Sequence, residues 1–567
     1  MSETNDSLTK EKELLKSVEH APTSEKIKTY TKLSGPGWLQ SAITLGGGSL
    51  GSSLYLGVIG GISLLWLQPF AMVLGIIMLS AISYITLSTG KRPFHAINEH
   101  INPVLGWSWA IASLMANMVW CLPQYGLANG VIQNNIAPEI GGNFGSWLAG
   151  DGGKWGICII ILALTTLITW SYGSGHKGIR LYEILLKIMV AAIVICFVGV
   201  AIKILTSDAG NYSLGQILRA FIPNPELLSQ PASDLKAIVD KLPDTVKDYW
   251  TTTIVNKQRD VMISAAATAV GINMTFLLPY SLLQRKWGKE HTGLSTFDLS
   301  TGMFIPYVLA TSCVVIASAN QFYLQPQPGL LGESTPDGKT LVVSGKAKGD
   351  FENLLKKRTD KLTVIDHPVG KQEKKLAAML ANRDVENFAQ TLAPLTNHKL
   401  ANIVFSLGVV GMALSTITLL MLISGFVICE IFRWETIGWK FKLSCMAATT
   451  GILGPFIWTK ASAYLVVPTS VFGMVLLPLA YISFFLLMNN RDFLGDAMPK
   501  GGQRVKWNCL MGIATFIATS ASLFVINQKA GTKGFVAIGL LLLASLVAHG
   551  WRKINRKLDH IESKLDS

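Results

Sequence analysis

Gly46-Gly47-Gly48-Ser49 interrupts an apolar stretch that runs from about Trp38 to Gly60, and Leu278-Pro279-Tyr280 interrupts a second that runs from about Asp260 to Gln284. In lipid every backbone N–H and C=O has to be satisfied within the protein, so unwound backbone survives at membrane depth only where it is buried or lines a cavity. Two Gly/Pro-interrupted spans at matching places in two successive halves of a chain mark the binding site of a transporter.

The composition sets the class around these breaks. Half of the 567 residues are hydrophobic and 15% are charged, against roughly 25% in an ordinary globular chain, and the mean hydropathy is +0.40. Apolar runs of about 20 residues, enough to cross a hydrocarbon core of about 30 Å, recur throughout. About twelve spans are predicted, at 38–60, 62–90, 104–135, 153–173, 178–204, 260–284, 296–320, 400–429, 443–459, 462–488, 506–527 and 532–550. The fold class is an all-α polytopic membrane protein. Residues 1–32 form a polar tail of mixed charge rather than a targeting segment. Residues 33–204 hold spans one to five, 260–320 spans six and seven, 400–488 spans eight to ten and 489–550 spans eleven and twelve; 551–567 is a basic tail. Residues 205–259 and the charged insert 321–399 are long connections, the insert with room for short helices at 351–362 and 371–392.

The net charge of +14 is accounted for without nucleic acid. Lys91 and Arg92, Lys177 and Arg180, Arg285 and Lys286, Arg433 and Lys440, and Arg491 and Arg504 fall in short loops on one side; the opposite short loops hold Lys154, Lys460, Lys529 and Lys533. The positive-inside rule then puts both termini in the cytoplasm of a cell-membrane protein and the two long connections outside. Spans one to five and six to ten, odd in number, would be opposite in topology, a five-plus-five inverted repeat. The seven cysteines lie in or beside apolar segments without metal-ligand spacing and read as small core hydrophobes. No phosphate-binding loop, nucleophile elbow or zinc-protease motif stands in the right context, so the chain does not read as an enzyme.

The glycine-rich break has a chemistry of its own. If the second half of span one starts near Ser49, its free N–H groups and dipole face the cavity and suit an anion or a carboxylate. Gly46, Gly47 and Gly48 let backbone approach such a ligand closely. The third span adds Asn117, Gln124, Tyr125 and Asn129, which either line the cavity or hydrogen-bond across helices; Asn273 and Ser281 flank the second break.

Further motifs carry a resemblance. Gly35-Pro36-Gly37-Trp38-Leu39 opens span one and Ser63-Leu64-Leu65-Trp66 span two; span five begins Leu181-Tyr182-Glu183. Span eight holds Ser415-Thr416-Ile417-Thr418, then Ser424-Gly425, and ends near Glu430. Span ten reads Leu477-Pro478-Leu479-Ala480, followed by Asn490-Arg491-Asp492-Phe493-Leu494-Gly495. In this order the chain resembles the natural-resistance-associated macrophage protein (NRAMP) family of proton-coupled divalent metal transporters, over most of 33–527. The resemblance implies the LeuT-like fold of the amino acid–polyamine–cation superfamily, with broken first and sixth helices.

It also exposes departures. The family's first span carries Asp-Pro-Gly-Asn, whose Asp and Asn bind metal; Gly46 and Ser49 stand there. The family's sixth span carries Met-Pro-His, whose sulfur is a ligand; Leu278, Pro279 and Tyr280 stand there, and Thr275 takes the position of a ligating carbonyl. Thr469 and Ser470 occupy the part of span ten that lines the family's site. Residues 104–135 contain no Asp or Glu, where the family places acidic residues linked to proton movement. A dehydrated Mn²⁺ or Fe²⁺ needs anionic or strongly donating ligands, and a divalent cation in a low-dielectric cavity without a carboxylate is very unfavourable. No metal ligands are therefore carried over. Lys187, four residues after Glu183, either pairs with it along the helix or reaches Ser415, Thr416 and Thr418; the resemblance to proton-coupled relatives makes Lys187 a candidate proton carrier.

The sequence thus predicts a secondary transporter working by alternating access, with no cofactor but with a proton or sodium as coupling ion. Its partners are the lipid bilayer and a small solute, anionic or carboxylate-bearing. The alternatives are a hydrated divalent cation such as Mg²⁺ or Mn²⁺ as cargo, or a non-transporting receptor that uses the 321–399 insert.

Overall fold

The computed structural model describes residues 2–172, 212–333, 345–362, 368–383, 398–457 and 462–565, with isolated positions between 184 and 206. Span one folds as two half-helices, α1 (Pro36–Thr44) and α2 (Gly47–Gly60), with extended backbone at Gly46 (φ −93°, ψ −178°) between them. A left-handed turn at Gly61 (φ +57°) ends α2, where an added Cβ would stand 2.9 Å from the Tyr323 ring. Then follow α3 (Leu67–Thr89), α4 (Pro103–Val131) and α5 (Asp151–Tyr172).

Span six is also broken, but not at its proline. α6 (Asp244–Ala269) and α7 (Ile272–Gln284) meet at Val270 and Gly271, both extended (φ −143°, ψ 110° and φ −90°, ψ 164°). Leu278, Pro279 and Tyr280 lie inside α7, so the break falls more than two turns before the proline that was expected to make it. A proline removes one N–H and kinks a helix, and in membrane helices that single loss is re-satisfied locally. A β-branched residue followed by glycine leaves the helix more readily. α6 also starts well before residue 260.

The chain continues through α8 (Thr292–Gly302), α9 (Phe304–Phe322), α10 (Gly345–Lys361), α11 (Lys371–Leu380), α12 (His398–Ile431), α13 (Val466–Met488), α14 (Gly501–Lys529) and α15 (Gly531–Leu565). Nine helical segments among the described residues are long and apolar enough to cross a membrane. The other three expected spans are the first, whose halves are each too short; the ninth, which is a chain of short turns from Trp439 to Ile457; and the fifth, which falls almost wholly outside the described residues together with Lys187.

The broken helices occupy the middle. α2 packs along α9 and α6, α1 against α8, and α7 against α3 and α4, while α4 runs along α12 and α6 along α13. Small residues allow this approach: a Cβ on Gly57 would stand 2.6 Å from the Val315 carbonyl oxygen of α9. Polar side chains tie the halves across the core, Ser52 Oγ to Ser264 Oγ at 2.7 Å and the Tyr307 hydroxyl to Gln68 Oε1 at 2.6 Å.

The two ends of the core are fastened differently. At the N-terminal end of α1, Asp298 of α8 accepts from the backbone N–H of Gly35 (3.2 Å) and Gly37 (2.5 Å) and from the Ser34 hydroxyl, an acidic cap supplied by another helix. At the other end the insert folds onto the half-helices. Arg358 of α10 holds Glu373 of α11 through Nε (2.8 Å) and Nη2 (3.1 Å), both residues buried, and Trp250 of α6 donates to the same carboxylate at 2.8 Å. The Tyr55 hydroxyl of α2 donates to the Arg383 carbonyl at 2.6 Å, and burial pushes the Arg383 guanidinium down to about 10. Removing one member of a buried ion pair strands the other. Arg358→Ala should therefore lower the stability of the purified protein by about 3 kcal/mol, read as an earlier thermal unfolding midpoint, whereas the exposed Lys361→Ala should leave the midpoint in place.

A candidate solute site between the broken helices

The two breaks face one another across a small cavity of about 40 Å³, enough for a few water-sized groups. Gly48 and Ser49 of α2 and Gly271, Asn273 and Met274 around the start of α7 form its centre, with Thr268 at the end of α6. Trp120, Pro123 and Gln124 of α4 close one side, Thr416 and Leu420 of α12 a second, and Val466, Thr469 and Ser470 of α13 a third.

Seven of the residues singled out from sequence thus come together: Gly48, Ser49, Gln124, Asn273, Thr416, Thr469 and Ser470. Gly46 and Gly47 stand at the edge, where a Cβ on Gly46 would collide with Thr416 Oγ1 and one on Gly47 would lie 2.5 Å from Gln124 Oε1. Thr275, Leu278, Pro279 and Tyr280 pack beneath the cavity instead. Thr275 Oγ1 accepts from Trp109 Nε1 at 2.9 Å and donates to the Ile272 carbonyl at 2.5 Å. Tyr280 stacks on Phe276 with centroids 4.7 Å apart. Ser415 and Thr418 donate to carbonyls of their own helix, Met412 at 2.9 Å and Ser415 at 2.8 Å. Met274 and Thr268 were not foreseen; Gly271, a glycine two residues before a buried asparagine, was the available signal.

Among the described residues the lining carries no charged side chain, and no group of three or more His, Cys, Asp or Glu could hold a metal. It is nevertheless polar. Gln124 is 2% exposed and Asn273 1%, yet Gln124 Oε1 and both side-chain polar atoms of Asn273 have no hydrogen-bond partner among the described residues. A buried polar group left unpaired costs about 1–3 kcal/mol. The backbone adds to this. α2 and α7 both begin at the cavity behind Gly46 and Gly271, neither of which offers a side-chain cap, so leading N–H groups of two half-helices lie outside the helical bonding pattern; of these, Met274 N–H turns back to the Gly271 carbonyl at 3.1 Å. The C-terminal ends of α1 and α6 reach the same place. Two positive and two negative helix ends meet around neutral side chains.

A five-plus-five core with broken first and sixth helices around a central polar cavity is the architecture of secondary transporters with the LeuT-like fold. The sequence profile of the natural resistance-associated macrophage protein-like family matches residues 37–338 and 371–527, and the chain belongs to that family. The gap in the match, 339–370, contains the whole of α10. The chain is similar to the divalent metal cation transporter MntH of Listeria welshimeri, 25% identical over 199 residues, and equally to that of Listeria monocytogenes. The matched stretch spans 35% of this chain and only 39% of those relatives. Crystal structures of the Eremococcus coleocola manganese transporter share the fold, with a TM-score of 0.58 at 13% identity over 92% of each chain. For its complex with an aromatic bis-isothiourea substituted compound the TM-score is 0.58 at 14% identity, over 93% of this chain and 95% of that one.

An unpaired carboxamide kept at a cavity trades stability for binding. Asn273→Leu should raise the thermal stability by about 1 kcal/mol while abolishing solute binding; a loss of stability would mean that Asn273 is a bonded member of the core.

Proposed function

We propose that the protein is a multi-pass cell-membrane transporter, with both termini cytoplasmic, that works by alternating access and carries a small anionic or carboxylate-bearing solute. The observation that carries this reading is the pairing of a cavity whose described lining is uncharged with two helix N-termini that lack a side-chain cap and with the unpartnered Asn273 amide nitrogen. Each helix N-terminus favours an anion by about 0.3–2 kcal/mol, and the Asn273 amide N–H groups add neutral donors. A dehydrated divalent cation meets no formal negative charge here to replace its water. Family membership supports the transporter class.

One observation favours a second cargo. Met274 lines the cavity one turn before Leu278, and its thioether, with the Gln124 and Asn273 oxygens, could contact a divalent cation that keeps most of its water. The divalent metal cation transporters among the relatives point the same way.

Isothermal titration calorimetry of the purified protein with Mn²⁺, Mg²⁺, small carboxylates and inorganic anions separates the two. The anion reading expects no saturable metal binding and a carboxylate or anion isotherm weakened by Gly47→Ala. Saturable Mn²⁺ or Mg²⁺ binding, lost in Met274→Leu and Gln124→Leu, would replace it with the cation reading.

A further inference from the structure

α12 ends in a buried carboxylate that the solute site does not use. Glu430 is 1% exposed, yet two side chains that reach water hold it. Arg92 Nη1 lies 3.3 Å from Oε2 and His95 Nε2 lies 3.2 Å from Oε1, with the Arg92 and His95 side chains 48% and 31% exposed. His95 also lines a cleft of about 480 Å³ between the connection before α4, the end of α12 and α15. On the far side of the carboxylate stands Tyr280 of α7. Its hydroxyl is buried and faces Glu430 and the Phe94 backbone. From Tyr280 the packing leads back toward the cavity: Tyr280 stacks on Phe276, and Phe276 lies 4.5 Å, centroid to centroid, from Trp109, which donates to Thr275 in the first turns of α7.

We propose that Glu430 and His95 form a proton-binding site whose occupancy biases the position of the half-helix α7. The proposal rests on the transporter reading above.

A carboxylate and an imidazole in hydrogen-bond reach exchange protons near neutral pH. Here the imidazole is the one with access to water, and the carboxylate is the one that faces the moving half-helix. A proton taken up by His95 from the cleft passes to Glu430 Oε1. Neutral Glu430 then carries its O–H at Oε1, on the His95 side, and loses its attraction both to Arg92 and to the Tyr280 hydroxyl. Ionised Glu430 accepts from the Tyr280 hydroxyl and regains both attractions. The two protonation states therefore weaken and strengthen the contact between α12 and α7. The groups that face Glu430 are Arg92 and His95 from the connection after α3, Tyr280 from α7 and Cys429 on its own helix. Glu99, Arg433 and Arg552 share the cleft with His95. Of those that touch the carboxylate, Arg92 keeps its charge at every relevant pH, so the switch is left to Glu430 and His95. A merely structural pair would fasten the 92–95 connection to α12 and leave α7 indifferent to pH.

The test reads α7 and α6 directly. In a Cys509→Ser background, Thr268→Cys places a thiol at the cavity, and its labelling rate by a methanethiosulfonate reagent is followed between about pH 5 and 8. The parent is expected to show a pH-dependent rate that becomes flat in Glu430→Gln and shifts along the pH axis in His95→Gln. His95 is part-exposed, so that variant keeps the test alive if Glu430→Gln fails to fold. A pH profile retained unchanged in both variants overturns the proton site and leaves the transporter reading standing, as does a parent rate that responds to a bound solute but not to pH. Labelling that responds to neither pH nor solute overturns the transporter reading itself, and the proposal with it.

Discussion

Backbone amides that leave a helix at membrane depth have to find partners inside the protein, and the architecture follows from that constraint. Two helices are interrupted, at Leu45–Gly46 and at Val270–Gly271. Their four loose ends converge where α4, α12 and α13 wall them off from lipid. The same convergence makes a site: two helix N-termini, two C-termini and a handful of neutral polar side chains around a space of about 40 Å³. The fastenings at either end belong to the same logic. Asp298 caps the free start of α1, and the Arg358–Glu373 pair with the Tyr55–Arg383 bond grips the far ends of α6 and α2. An alternating-access machine needs such end contacts to be polar and breakable rather than continuous with the apolar core.

The first break could be read almost to the residue because three consecutive glycines are poor helix formers with no side chain to pack. The second was misplaced for a physical reason. Proline is the loudest punctuation in a sequence, but inside a membrane helix its lost N–H is one bond among many, and Pro279 sits in the body of α7. The quieter Val270–Gly271 pair carries the break. That shift explains why Leu278 and Tyr280 lie under the cavity while Asn273 and Met274 line it. Periodicity could not reveal this, because every residue of α7 from Ile272 to Leu282 is buried and no polar face marks the site. The helical clamp in the insert was legible only as short charged helices; its grip on Trp250 and Tyr55 depends on contacts far apart in sequence.

Membership of a metal-transporter family and a cavity without a charged side chain pull in opposite directions on the cargo. Fold similarity at 13% identity fixes the scaffold and nothing about the ligand. The chain has the pair of breaks, and the described lining of the cavity between them offers no acidic side chain. The thioether of Met274 keeps the question experimental.

Anomalous diffraction at the manganese edge, from crystals grown with Mn²⁺, reads the occupancy of the cavity itself. An anion carrier shows no manganese peak between Gly46 and Asn273. A peak there, in contact with Met274 Sδ and Gln124 Oε1, would contradict that reading and show that a neutral cage of thioether, amide and water can hold the ion.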